Sequence, residues 1–458
     1  MRRASIVLLV ISLLLTPAVA ADEILVRDVN VIDGTGAPPR SGVDILIRDG
    51  RIVAIAPDLE PGRGAEVIDG RGRYAIPGLI DAHAHLHFPI VFQLTPEERE
   101  EIRRHNPVAF LFNGVTTVLN VSSPTDWIWP RRAAERAGEL VSPRIYALGD
   151  SFTPVDGWGS RHGGALADAE AARARALEFV RAGTDGFKII IEGGLGNSDT
   201  HRRMPRDMLA AIVEVATEHR VPLHVHAINL DDYHRAAAIR PRAIQHGLED
   251  PIPDGDPILR VLADHDAIVV PTLSLFQSFV RPPPFAGDGL EDPLLEQSLP
   301  TFLVESMRSE AYMQAENESF VAATAGMDVY AWVREANPHF CDNVGRMHAA
   351  GVKLAVGTDA GGTVGYNFQG YNTPWELRLL VECGLSPMDA LVAATRNGAE
   401  VIGVADELGT LETGRLADLL LLDANPLDDI DNVRVFDTLI FKGRVYARSD
   451  FAYRPPAP

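Results

Sequence analysis

The stretch PGLIDAHAHLH, residues 77–87, sets three histidines at every second position behind an apolar run. Side chains alternate across a β-strand with a period of two, so a strand here turns His83, His85 and His87 to one face. Imidazole is the commonest metal ligand among side chains, and an H-x-H pair on one strand face aims two of them at a single point. The stretch also opens a series. GVTTVLNV, RIYALG, GFKIII, VPLHVHA, AIQHG, AIVVPTL and LAVGTDAG follow as short apolar runs, separated by helical segments such as LADAEAARARALEFVRAG and RDMLAAIVEVATEHR. Strand–helix alternation with continuously apolar strands is the pattern of a parallel α/β architecture. Eight such strands predict a TIM-like (β/α)8 barrel.

Outward from the barrel the texture changes. Residues 24–76 carry β-branched runs broken by Gly turns, ILVRDVNVIDG and DILIRDGRIVAIA among them, which predict a small antiparallel sheet. The tail ADLLLLDANPLDDIDNVRVFDTLIFKGRVY has the same texture. The two segments together suggest one composite β-sandwich built from 21–77 and 402–458, around a barrel of 78–401. Ahead of both, Arg2 and Arg3, the apolar run Ile6–Leu15 and Ala18-Val19-Ala20 have the order of a secretory signal peptide, 1–20. The apolar run falls short of the roughly 20 residues that span a bilayer, so no stable membrane anchor is expected and an exported, periplasmic or secreted product is.

Bulk composition narrows the partners. The chain has 458 residues, 46% hydrophobic and 23% charged, and a formal charge of −21, which becomes −23 once Arg2 and Arg3 leave with the leader. That balance argues against nucleic acid or an anionic membrane, which select clustered Lys and Arg, and favours a small-molecule substrate or metal cations. Cys341 and Cys383 are the two cysteines. A chain with room for a large core needs no disulfide framework, so they are as consistent with pairing as with free thiols.

Catalytic groups of such barrels stand at the C-terminal ends of the strands. There the sequence places His83 and His85, Lys188, His226, His246 and Asp359. Each alone has a structural explanation: a rim histidine, a snorkelling lysine, an aspartate capping a turn. A buried lysine also loses its proton readily and becomes a nucleophilic amine. The order and placement of all six outweigh the separate explanations.

PGLIDAHAHLH, FKIIIEGG, LHVHA, IQHG, VGTDAGG and GTLETGRLADLLLLDANPL together resemble the amidohydrolase superfamily, in particular its imidazolonepropionase-like and Xaa-Pro-dipeptidase-like branch. The resemblance implies that His83 and His85 hold the more buried of two divalent ions, and His226 and His246 the second. It implies a carboxylated Lys188 bridging both, and Asp359 binding the buried metal and handling protons. The donor set fits zinc best, with manganese and iron as alternatives. A bridging water ionised by both ions would then attack an amide, peptide-like or cyclic-amide C–N bond. His162, in GWGSRHGG, matches a histidine placed near the substrate carbonyl. His224, two before His226, is expected deeper and in a supporting role.

The pattern departs from the branch's dipeptidases at Ile228, where a tyrosine is expected for a substrate carboxylate; Tyr233, Arg235, Tyr366 and Tyr371 are the available substitutes. An insertion of about 274–345, with aromatics at Phe276, Phe279, Phe285, Phe302, Phe320 and Trp332, reads either as a roof over the barrel mouth or as a dimer surface of a homo-oligomer. Two other function classes share these residues. One is a barrel enzyme running a decarboxylation or isomerisation, the other an exported binding protein without catalysis.

Overall fold

In the computed structural model, residues 23–87, 94–160, 164–194, 200–285, 290–323, 328–361 and 366–455 are described. The expected leader, 1–20, and His162 lie outside them. The N-terminal strands are β1 (Glu23–Val31), β2 (Arg40–Arg48), β3 (Arg51–Ala56), β4 (Glu66–Asp69) and β5 (Tyr74–Pro77). β2 pairs antiparallel with β1 and with β3, but β4 and β5 both run parallel to β1, so the expected antiparallel sheet is a mixed one. The cause is local. β1 is interrupted between Val26 and Val29, where Asp28 takes φ 55, and the edge away from β2 is shared by two strands, Ile24–Arg27 by β4 and Asn30–Val31 by β5. A bulge of this kind bends the strand and divides its partners.

The next strands are parallel. β6 (Leu79–Ala84), β7 (Val115–Asn120) and β8 (Arg144–Ala147) form one ladder. A two-residue parallel pair, β9 (Thr153–Pro154) and β10 (Ala165–Leu166), follows. β11 (Phe187–Ile190), β12 (Leu223–His226), β13 (Ala243–Gln245), β14 (Ile268–Val270) and β15 (Lys353–Leu354) form a second parallel ladder in chain order. The ladders meet through single bridges, Phe152 with Ile189 and Ala84 with Ala360. Helices separate the strands for readable reasons. Asp168 caps Ala169–Arg181 by accepting from Ala171 N, and Ala172, Ala176 and Phe179, spaced one helical turn apart, are its buried face.

The chain then returns to the first sheet. β16 (Leu419–Leu422) lies antiparallel to β5, followed outward by β17 (Phe436–Phe441) and β18 (Arg444–Ala447). Ile24, Val26, Ile45 and Ile47 from one chain end pack with Leu419, Leu421 and Ile440 from the other, so neither segment buries its apolar face alone.

Within the insertion the described helices are Leu273–Ser278, Pro293–Ser298, Thr301–Met307, Glu310–Ala323 and most of Val329–Ala349. The last packs on the loop after β13: Trp332 Nε1 donates to Glu249 at 2.5 Å, and Asn343 Nδ2 donates to the carbonyls of Leu248 and Asp250 at 2.9 and 2.8 Å. Cys341 of this helix is disulfide-bonded to Cys383, the C-cap of helix Thr373–Glu382. Among the described residues no helix is long and apolar enough to cross a membrane.

Candidate metal centre

Strand register builds the site. Lys188, His224, Ala243 and Ile268 are in-register neighbours, and so are Ile190, His226, Gln245 and Val270 one step nearer the strands' C-terminal ends. In-register residues of parallel strands project to the same side, which puts a lysine, two histidines and a glutamine on one face of an apolar ladder. From the other ladder β6 brings His83 as its penultimate residue, with His85 just beyond its end.

Asp359 reaches this face through a turn after β15. It takes φ 53, a conformation aspartate tolerates better than most residues. Its N–H donates to His83 O at 2.8 Å, and Asn367 Nδ2 donates to its carbonyl at 2.7 Å. A Cβ at Gly357 would lie 2.7 Å from His83 Cβ, and one at Gly361 2.3 Å from His85 O, so two glycines let the turn lie directly on the H-x-H backbone. Asp81, fully buried, joins the same pieces: its carboxylate accepts from His83 N, Thr358 N, Thr358 Oγ1 and Thr373 Oγ1.

Several of these side chains converge. Asp359 Oδ1 lies 2.7 Å from His85 Nε2 and 3.2 Å from His83 Nε2, and Oδ2 lies 4.0 Å from His246 Nδ1. The ring centroids of His246 are 4.6 Å from His83 and 4.1 Å from His226. His83, His246 and Asp359 each present a ligand atom within 4.8 Å of the other two.

Tautomers decide what this cluster can do. His83 Nδ1 sits 2.7 Å from Gln245 Oε1 and His85 Nδ1 2.9 Å from Ser122 O. Both partners are acceptors, so both Nδ1 atoms carry the proton and both Nε2 lone pairs face the Asp359 carboxylate. Burial, then the Lys188 charge, pulls His83 down to about 3, so this imidazole is neutral near pH 7. Lone pairs directed at a carboxylate repel unless a cation lies among them. A ring N–H anchored on a carbonyl is also how metal-bound histidines are oriented. His83 Nε2, Asp359 Oδ1, His226 Nε2 and Lys188 Nζ are all buried with no hydrogen-bond partner among the described residues. The donor set fits a divalent cation.

Lys188 is 2% exposed. Burial lowers its ammonium to about 7 against the opposing pull of Asp359 and then Glu192, so a large fraction of the amine is neutral near physiological pH. His224, fully buried, lies under the site with its Nδ1 3.4 Å from Gln245 Nε2, so one glutamine amide spans His83 and His224. His87 leaves the cluster: β6 ends at Ala84, and the His87 ring stands edge-on to Trp127 with centroids 5.0 Å apart.

Three of the expected carboxylate-binding substitutes are committed elsewhere. Tyr233 OH donates to His246 O at 2.6 Å, Tyr371 OH to Asp292 Oδ2 at 2.6 Å, and Arg235 to Asp232 and the Ile191 carbonyl. Tyr366 is half-buried.

Residues not anticipated from the sequence complete the cluster. Glu192 has both carboxylate oxygens buried, with Oε1 2.8 Å from His226 Nε2. Thr272 holds His246 Nδ1 at 3.1 Å from a left-handed backbone, φ 48, which is costly for a β-branched residue. Glu376 fixes that turn, Oε1 and Oε2 accepting from Leu273 N at 2.9 Å and Ser274 N at 2.6 Å. Burial pushes the Glu376 carboxyl up to about 7. Glutamine turns an NH₂ toward one of the two amides, so Glu376→Gln should lower stability by about 1–3 kcal/mol when measured below that pKa, where the substitution relieves no buried charge. A urea midpoint equal to wild type would show that the turn holds without the carboxylate.

The sequence profile of the family described as "Amidohydrolase family" matches residues 74–446. An imidazolonepropionase from Acidiphilium cryptum is 26% identical over 425 residues, 86% of this chain and 92% of that protein. Dihydropyrimidinase 2 from Caenorhabditis briggsae is 35% identical over 116 residues, which is only 25% of this chain and 22% of the relative's length. A crystal structure of a Xaa-Pro dipeptidase with bound methionine superposes with a TM-score of 0.73 at 23% identity, covering 93% of this chain and all of that one.

Proposed function

The chain belongs to the Amidohydrolase family, and on that premise we propose that it is an exported hydrolase holding two divalent ions, zinc by preference, and cleaving a C–N bond of a small amide, peptide-like or cyclic-amide substrate. The observation that carries this reading is the convergence of His83 Nε2 and His85 Nε2 on Asp359 with both Nδ1 protons committed to carbonyl oxygens. His83, His85 and Asp359 would hold the first ion and His226 and His246 the second, and Lys188, whose amine is buried, would supply a carbamate as a further ligand. When bound, the ions polarise the substrate carbonyl and acidify water. Asp359 accepts the proton of the attacking water and returns it to the departing nitrogen, as a positioned carboxylate does. His162, which the family resemblance puts near the substrate carbonyl, would donate to its oxygen.

The scaffold reading is a (β/α)8 barrel over 78–401 flanked by a composite β-sandwich of 21–77 and 402–458. Eight parallel strands in two bridged ladders, and a sheet assembled from both chain ends, support it. Export rests on the leader pattern and on the Cys341–Cys383 bond, which suits an oxidising compartment. The intact mass of protein from its native host should place the N-terminus near Ala21, and retention of residues 1–20 would remove the claim.

A panel of N-acyl amino acids, dipeptides and lactams, assayed with and without a chelator, tests the activity. Hydrolysis of at least one class, lost on chelation and restored by zinc, is expected. Turnover that survives complete metal removal would defeat the mechanism. Metal binding without hydrolysis of any panel member would favour a non-hydrolytic barrel enzyme or a binding protein.

A further inference from the structure

We infer that Glu192 is a direct ligand of the second ion, alongside His226 and His246, so that this centre carries a carboxylate beyond Asp359 and the Lys188 carbamate. The inference rests on the two-ion reading above and deepens it. Glu192 lies two residues beyond Ile190, the end of β11, on the C-terminal side of Lys188. Ile190 is in register with His226, so Glu192 stands one step farther toward the C-terminal ends of the strands, at the level where ligands collect. Its side chain is fully buried, and apart from His226 Nε2, which donates to Oε1 only if that ring is protonated, neither carboxylate oxygen has a hydrogen-bond partner among the described residues. A buried carboxylate without donors is costly, and such groups are paired or bind metal.

His226 Nε2 lies 2.8 Å from Glu192 Oε1 and has no other hydrogen-bond partner among the described residues. A carboxylate oxygen and an imidazole nitrogen this close, both otherwise unsatisfied, are two adjacent corners of one coordination sphere. Charge supports the assignment. Two divalent ions bring four positive charges into a buried site, of which Asp359 and a carbamate offset two and Glu192 a third. The second ion then has two imidazoles and a carboxylate of its own, a donor set suited to zinc.

Wild type, Glu192→Gln, Glu192→Asp and His226→Ala would be stripped with a chelator and reloaded with zinc. Bound zinc is read by elemental analysis and as the zinc-dependent rise in melting temperature. Wild type is expected to take up two ions per chain. Glu192→Gln should keep the first ion at wild-type affinity and bind the second at least about 100-fold more weakly, a larger loss than removing an outer partner of a ligand typically causes. Its melting temperature should lose the second increment, as does that of His226→Ala, while Glu192→Asp falls between. Two ions in Glu192→Gln at wild-type affinity would overturn the inference and leave the two-ion reading standing. A wild type that takes up no second zinc would overturn both. A crystal structure of zinc-loaded wild type decides the matter even if a variant misfolds: zinc at about 2.0–2.2 Å from a Glu192 oxygen is expected. No zinc in that range would exclude Glu192 as a ligand.

Discussion

Asp359→Asn is expected to lower the hydrolysis rate by about 10²- to 10⁴-fold, the range that a positioned general acid–base contributes, while both ions still bind. The four histidines and Lys188 are untouched by the change, but the neutral amide accepts no proton from water. The amide can instead turn its NH₂ toward the Nε2 lone pairs of His83 and His85, which lie 3.2 and 2.7 Å from the present carboxylate oxygen. The first ion should therefore bind more weakly, and the metal-free variant should be at least as stable as metal-free wild type. His226→Ala provides the contrast, since it should lose the second ion itself. Bound metal and turnover of the best panel substrate, measured on both variants, separate the two kinds of inactivity. Near-normal rates for Asp359→Asn would reduce Asp359 to a turn residue and remove the proposed proton route.

Lys188→Met is expected to have opposite effects on the empty and the loaded protein. The lysine amine is buried without a hydrogen-bond partner, and an isolated buried polar group costs about 1–3 kcal/mol on mutational scales. A thioether of similar length removes that cost, so the variant should unfold at higher denaturant than wild type in the presence of a chelator. It cannot form a carbamate, so the bridge between the ions disappears, uptake should fall below two zinc per chain, and turnover should collapse. Carbon-13 NMR on protein equilibrated with labelled bicarbonate should show a carbamate resonance in wild type that is absent from Lys188→Met. A variant that keeps both ions and full activity would show that Lys188 is a packing residue and that the ions need no bridge from β11.

The parts of the site that were legible in the sequence are those carried by strand periodicity. His83 with His85, His226 and Asp359 each close an apolar run, and Lys188 interrupts one, so candidate chemistry at the C-terminal ends of parallel strands follows from position for all but the lysine. The supporting residues were not legible for the converse reason. Glu192 sits in an ordinary Glu-Gly-Gly turn, Gln245 reads as a polar break in AIQHG, and Glu376 lies in a helix about a hundred positions from the backbone it holds. Their partners are set by which strands and helices become neighbours, and no local pattern encodes that. His87 shows the limit of periodicity itself. The alternation continues through it in sequence, but β6 stops at Ala84 and the ring turns to Trp127.

By itself the sequence determined the parallel α/β order of elements, the membership of both chain ends in a separate β layer and the positions of the residues proposed as metal donors, because hydrophobic period and strand-end polarity are local properties. Tertiary structure alone decided that β4 and β5 lie parallel to β1, that Cys341 reaches Cys383, and that Tyr233, Tyr371 and Arg235 are already engaged. It also decided the tautomers of His83 and His85, since these depend on acceptors at Gln245 and Ser122 contributed by other strands and loops. Each of these is a pairing between segments distant in sequence, selected by the burial of shared apolar surface and by the need of every buried polar group for a partner.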